Sequence, residues 1–223
     1  MRREHINLSP GLTPLAWLQS QGNAITGVGQ WIDTGVQPYK LEVEIRMKEA
    51  EYGQQTGNLQ LACGCWNANN NRYYVAQHGN PSQGNRDLYT SNKNNSIYKI
   101  ADHNLNAYHT ILYNDTNNKV WCDGVQKATI SDITVQGLAF NVILFGGGTS
   151  TFSSGVSPSS WRICWTKFRD KVTNTYVRYY IPVLDANGVP ALFDNVTQQL
   201  YYNQGTGQFT KIRQRKPMTS VVG

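Results

Sequence analysis

The chain of 223 residues carries only 15% charged side chains, and Asn, Gln, Gly, Thr, Ser and Tyr stand where charges are ordinarily found. Its net charge of +6 sits at the ends. Arg2, Arg3, Lys211, Arg213, Arg215 and Lys216 against Glu4 leave 14 basic and 13 acidic residues for the rest of the chain. A nearly neutral body argues against nucleic-acid reading by the folded part, which needs a basic face. No stretch approaches the ~20 apolar residues of a membrane-spanning helix.

Met1-Arg-Arg-Glu-His runs into polar sequence, so no export signal is expected. Cys63, Cys65, Cys122 and Cys164 are expected as buried free thiols rather than disulfides. The length fits one large β domain. We place it at 14–210, between an N-terminal arm (1–13) and a basic C-terminal tail (211–223).

In chain order, Leu15-Ala-Trp-Leu-Gln opens the folded part, and Gln30-Trp-Ile-Asp-Thr-Gly-Val is a strand ending in a turn at Asp33-Thr34-Gly35. Leu41, Val43, Ile45 and Met47 alternate with Glu42, Glu44, Arg46 and Lys48, which predicts a strand with one buried and one solvated face. Further strands are expected at 59–66 and 73–77, around Leu88-Tyr89, and at 107–113 and 119–122. Asp123-Gly124 is a hairpin turn into 125–129. The apolar run 140–145 reads as a strand buried on both sides. Segments 161–168, 176–184, 191–193 and 199–203 follow, with a turn at Asp185-Ala-Asn-Gly. No amphipathic helix is expected. So many short strands with frequent turns predict an all-β fold, a two-sheet antiparallel β-sandwich of jelly-roll type.

Three motifs carry a resemblance. Trp17-Leu-Gln-Ser-Gln-Gly with Gln30-Trp-Ile-Asp-Thr-Gly-Val resembles the opening of concanavalin A-like (laminin-G-like) jelly-roll proteins common in phages and prophages of gut bacteria. His109-Thr-Ile with Val120-Trp-Cys-Asp-Gly is similar to a hairpin found across that superfamily. Ile181-Pro-Val, Asn187-Gly-Val-Pro, Phe193-Asp and Tyr202-Asn-Gln-Gly-Thr-Gly-Gln-Phe resemble the group's closing motif. The resemblance implies a non-enzymatic virion surface protein, a head decoration, fibre or tail component. Its partners are other virion proteins and sister subunits, and host glycan is a possible ligand. A bacterial carbohydrate-binding module and a glycan hydrolase are the alternatives, since the fold alone does not select among them.

Some glycan hydrolases of the superfamily use Glu-x-Asp-x-x-Glu on a strand, with carboxyls about 5–5.5 Å apart in retaining enzymes. Here Glu42-Val-Glu44-Ile-Arg-Met47 puts a thioether at the acid/base position, so two solvated glutamates on an outer face are expected instead. Cys63, Cys65 and His78 fit no usual zinc spacing. Asp33, Asp123 and Asp185 sit in turns that could hold calcium, though turn geometry alone accounts for them. No metal or other cofactor is otherwise expected. A glycan site needs rings beside amides. Trp66, Asn69, Asn71, Arg72 and Tyr73 form the best such cluster, and Asn85, Arg86, Asp87 and Tyr89 a second. Lys211, Arg213, Arg215 and Lys216 would dock the chain on a particle partner.

Overall fold

A computed structural model describes residues 8–21, 29–50, 60–66, 72–80, 85–92, 96–102, 104, 106–131, 140–147 and 160–213. Within them the chain forms sixteen strands and no helix. The first eight are β1 (Thr13–Gln19), β2 (Ile32–Asp33), β3 (Leu41–Glu49), β4 (Gln60–Trp66), β5 (Arg72–Asn80), β6 (Asn85–Ser91), β7 (Ile97–Ala101) and β8 (His109–Tyr113). The rest are β9 (Lys119–Cys122), β10 (Val125–Thr129), β11 (Ile143–Leu144), β12 (Trp161–Asp170), β13 (Thr175–Leu184), β14 (Pro190–Asp194), β15 (Gln199–Tyr201) and β16 (Thr210–Arg213).

The strands form two antiparallel sheets. The larger has ten strands in the order β10-β9-β8-β3-β12-β1-β13-β14-β15, with β16 on β1. The smaller has six, β2-β11-β4-β5-β6-β7. One apolar core lies between them, as in a sandwich. Val43, Ile45, Met47, Ile111, Ile163, Phe168 and Tyr180 of the large sheet meet Ile32, Cys63, Tyr73, Val75, Leu88 and Leu144 of the small one. The architecture is the expected jelly-roll-like β-sandwich.

Turn chemistry sets the hairpins. Asp123 and Gly124 take φ of 52° and 79°, so β9 and β10 join through the two-residue turn that matches strand twist. Asp185 accepts hydrogen bonds from the amides of Asn187 and Val189, which closes its turn. The fully buried Asp194 accepts from Tyr179 N and Val196 N and from the Thr197 hydroxyl, and so fixes the β14–β15 turn.

The two end motifs are one structure. Gln204 N donates to Trp31 O (3.0 Å) and Thr206 N to Gly29 O (2.9 Å). Trp31 N donates to Asn203 Oδ1, Asp33 N to Gln204 Oε1 and Gly29 N to Thr206 Oγ1. Gln30 Nε2 returns a bond of 2.7 Å to Thr206 O. The Asn-Gln-Gly-Thr segment thus serves as a clasp on the Gly-Gln-Trp segment about 170 residues earlier, and the buried Phe209 that follows it packs at a tilt against Phe145.

Several boundaries move from the sequence expectation. The large sheet continues past residue 210, because Lys211 pairs with Leu18 and Arg213 with Leu15. At the other end Leu8 and Leu12 pack on Val183, Ala191 and Phe193, so this part of the arm belongs to the body. Strand β7 falls where no strand was predicted. The run 140–145 is buried as expected except at Asn141, which is partly exposed, but only Ile143 and Leu144 pair as strand. Glu42 is not solvated. It is 6% exposed and lies in a bidentate ion pair with Arg169, across the register of β3 and β12. Among the described residues no helix is long and apolar enough to cross a membrane.

Candidate functional site

The outer face of the large sheet carries what the period-two alternation left there. Trp121 lies opposite Leu112, Leu112 opposite Glu44, Glu44 opposite Lys167 and Lys167 opposite Tyr179. This row crosses β9, β8, β3, β12 and β13. With strands about 4.8 Å apart it is about 19 Å long. In the adjoining row Thr110 faces Arg46 and Arg46 faces Trp165, and Arg46 Nη1 donates to Thr110 Oγ1.

Cations sit over these rings. Lys167 Nζ lies 4.9 Å from the Tyr179 ring centre, 5.3 Å from Trp165 and 5.6 Å from Tyr176, with Glu44 Oε2 at 3.8 Å. Arg46 and Lys48 flank Tyr108, and Lys119 lies over Trp121. Such pairs contribute roughly 0.5–1 kcal/mol each at exposed positions. They hold the rings in place while leaving surface open; Tyr176 is 45% exposed. The face therefore offers what a polyhydroxylated ligand uses, aromatic planes beside charged and hydroxyl hydrogen-bonding groups.

A second cluster lies on the β8–β10 hairpin. Asp123 Oδ1 accepts from Thr110 N (2.8 Å), which leaves Oδ2 beside His109 Nδ1 at 2.7 Å. Cys122 Sγ is 3.8 Å from the same nitrogen and 3.7 Å from Asp123 Oδ2. Burial pushes the Cys122 thiol up to about 12, helped by the Asp123 charge. Burial also raises the Asp123 carboxyl, but the Thr110 amide and His109 outweigh it and hold it below the usual carboxylate range. His109 borders a small cleft at this end of the sandwich with Met47, Glu49, Asp102, Asn104 and Trp161; it has room for about one water, too little to enclose a sugar ring.

The residues singled out in the sequence are placed as follows. Trp66 and Arg72 face each other across β4 and β5; their side chains, with Asn69 and Asn71, lie outside the described residues. Tyr73 is 1% exposed, donates its hydroxyl to Leu41 O and packs edge-on to Tyr113. Tyr89 is 5% exposed. Both rings are buried, not open stacking platforms. Asp87 pairs with Lys99, and the side chains of Asn85 and Arg86 lie outside the described residues. Lys211 donates Nζ to Gly188 O, Arg213 is placed by its backbone in β16, and Arg215 and Lys216 lie outside the described residues.

The calcium candidates are filled by hydrogen-bond donors. Asp33 accepts from Gly35 N and Asn141 Nδ2, and Asp185 from two amides and the Tyr202 hydroxyl. A hard cation needs six to eight oxygen ligands, and the donors that surround Asp33 and Asp185 are the opposite. Cys63 and Cys65 are fully buried thiols in β4. Sequence reasoning missed the ring face of β12 and β13 and the His109–Cys122–Asp123 group. The signal for the first was present, since Trp165 and Lys167 alternate toward one face. Set against known proteins, the chain matches no family model, no curated protein and no solved structure. The class its fold defines is the antiparallel jelly-roll-like β-sandwich.

Proposed function

We propose that this chain is a non-enzymatic surface component of a phage particle, and that the outer face of its ten-stranded sheet recognises host glycan. The observation that carries the glycan reading is the outer face on which Trp121, Trp165, Tyr176 and Tyr179 lie beside Lys119, Lys167 and Arg46, spanned by the row from Trp121 to Tyr179. Its length suits an extended oligosaccharide rather than one buried ring, because binding by stacking on an open face needs no enclosing pocket. The virion reading is supported by the resemblance of the opening and closing motifs, which the clasp shows to be one structural unit of the sandwich. Lys211, Arg213, Arg215 and Lys216 would dock the chain on sister subunits or particle proteins.

Two measurements test the two halves separately. Mass spectrometry of gradient-purified particles produced by a host carrying the gene should find the chain in stoichiometric amount; its absence from particles sinks the virion reading. A glycan array probed with the full chain should give binding that Trp165→Ala and Tyr176→Ala each reduce at least about tenfold, the loss of one stacking platform worth ~1.4 kcal/mol. Binding lost in Trp66→Ala but kept in those variants moves the site to the β4–β5 loop. No binding to any glycan leaves the sheet face a packing surface for assembly.

A further inference from the structure

We propose that His109, Cys122 and Asp123 form a binding site for a zinc-class transition-metal ion on the β8–β10 hairpin. The three donor atoms, His109 Nδ1, Cys122 Sγ and Asp123 Oδ2, lie within 4.8 Å of one another.

The spacing can be compared with what a metal requires. Zinc binds histidine nitrogen and carboxylate oxygen at about 2.1 Å and thiolate at about 2.3 Å, close to tetrahedral. Those lengths set nitrogen–sulfur and oxygen–sulfur separations of about 3.6 Å and a nitrogen–oxygen separation of about 3.4 Å. The observed sulfur separations are 3.8 and 3.7 Å. Only the nitrogen–oxygen pair is too close, at 2.7 Å, because a proton now joins it. Replacing that proton by a metal needs an opening of about 0.7 Å, within reach of a small carboxylate rotation.

The backbone sets this arrangement in advance. The two-residue turn holds Asp123 in the left-handed region, and Asp123 N donates to Thr110 O. Thr110 N occupies Oδ1, so Oδ2 alone is turned to the cluster. The register of β8 and β9, with Ile111 opposite Cys122, puts the thiol beside the imidazole.

The same geometry argues against a nucleophilic triad. In such a triad the base accepts from the nucleophile on one ring nitrogen and is oriented by the acid through the other. Here sulfur and carboxylate converge on one nitrogen. Cys122 is also 2% exposed, which denies a substrate access to its sulfur. Convergence of three unlike donors on one point is the arrangement of a metal cage. A nitrogen, a thiolate and one carboxylate suit zinc or cobalt and are too few and too soft for calcium or magnesium. Binding displaces the Cys122 thiol proton to solvent, and the His109 imidazole gives up its Nδ1 proton and carries one on Nε2 instead, so that it ligates as a neutral ring with no change of oxidation state. With three protein ligands, one position is left for water or a partner's side chain.

The test uses the full chain, stripped with chelator and titrated with Zn²⁺ alone against a chromophoric competitor, and with Co²⁺ for spectroscopy. One metal per chain is expected, with a thiolate-to-cobalt charge-transfer band in the near ultraviolet. Cys122→Ser should abolish the band. Asp123→Asn and His109→Gln should each weaken Zn²⁺ at least about tenfold, the scale on which even an outer-shell change acts. Asp123 is half-exposed, so these two variants carry the test if the buried serine disturbs folding. Absence of stoichiometric binding by the folded wild type overturns the site. So does unchanged Zn²⁺ affinity in both Asp123→Asn and His109→Gln, or a charge-transfer band that survives in a folded Cys122→Ser chain.

Discussion

Gly205→Ala is a sharp test of the clasp that joins the two ends of the sandwich. A Cβ at residue 205 would stand 1.9 Å from Gly29 O and 2.8 Å from Trp31 Cδ1, whereas real Cβ atoms keep beyond 3.0 Å. The obstacle is backbone, so no side-chain rotation relieves it. The two segments must part by about 1 Å, which takes the flanking bonds Gln204 N to Trp31 O and Thr206 N to Gly29 O past the range of a hydrogen bond, about 3.2 Å. A hydrogen bond contributes about 1 kcal/mol net. Loss of these two, with one of the side-chain bonds of Thr206, costs about 3 kcal/mol. For a domain of this size that is a fall in Tm of about 6–12 °C. Thr206→Val, which deletes only the acceptor for Gly29 N, should cost about 1 kcal/mol and serves as the scale. Melting is followed by far-ultraviolet circular dichroism. A Gly205→Ala chain that melts with the wild type, or above Thr206→Val, refutes the clasp.

Arg169→Met leaves the buried Glu42 carboxylate without its bidentate partner and should cost about 2–3 kcal/mol in urea unfolding, less than for a fully buried pair because Arg169 is partly exposed. Adding Glu42→Leu should restore most of it, and a double variant no better than the single one contradicts the pair's role. Acid unfolding should show the carboxylates that accept amide hydrogen bonds. Burial raises the Asp115 carboxyl, but the Lys119 and Asn117 amides and the Trp121 indole outweigh it, and the Val189 amide chiefly lowers Asp185. Their folded values lie below the unfolded value of about 3.9, so the stability they add is full above that pH and is lost as pH falls through the folded values. Asp115→Asn should shrink this acid limb, and an unchanged limb rules the group out as its source. All four thiols should react with a disulfide reagent after denaturation, whereas in the native chain Cys164, raised to about 11, reacts first and Cys63 and Cys65 not at all; fewer than four in the denatured chain would mean a disulfide. Ending the chain at Phe209 should cost about 2–4 kcal/mol relative to ending it at Arg213, by deleting β16 from β1; equal Tm values for the two would show that β16 contributes nothing.

The sheets were legible where burial is one-sided. The alternation Leu41-Glu-Val-Glu-Ile-Arg-Met became β3 with its apolar residues fully buried, and Asp123-Gly124 became the turn its chemistry demands. Strand β7, Ile-Tyr-Lys-Ile-Ala, was missed because it follows an Asn- and Ser-rich stretch and only Ile100 of its residues is fully buried. Strand β16 was missed because Lys-Ile-Arg reads as a charged tail. Its pairing with β1 is a tertiary fact that local propensity does not contain. Glu42 was misread for a related reason. Its place on the outer face was correct, but an outer face is solvated only where no neighbouring strand brings a long cation to lie over it, and Arg169 does so from 127 residues away.

The candidate sites divide along the same line. Aromatic residues next to amides drew attention to Tyr73 and Tyr89, yet adjacency in sequence cannot separate a ring that points out from one that points in. A single step of register decides which face a ring takes, but here neither face is open: Tyr73 points into the sandwich core, and Tyr89, outside that core, is buried all the same. Trp165 and Tyr179, by contrast, are fixed outward by their partners, Arg46 and Lys167, whose charges cannot enter the core. The informative unit is therefore the cross-strand pair. As a rule a ring paired with an exposed cation, as Tyr179 is with Lys167, shares its outer face and a ring paired with a cysteine, as Tyr73 is with Cys65, shares its buried one, though Tyr89 opposite Lys99 and Phe168 opposite Arg178 are buried all the same. The same rule places His109 opposite Met47 at the border of the core, where an imidazole meets the buried Cys122 thiol and the Asp123 carboxylate at once. None of those three residues is distinctive in the chain, and only the hairpin that folds 109 onto 122 and 123 makes them a group.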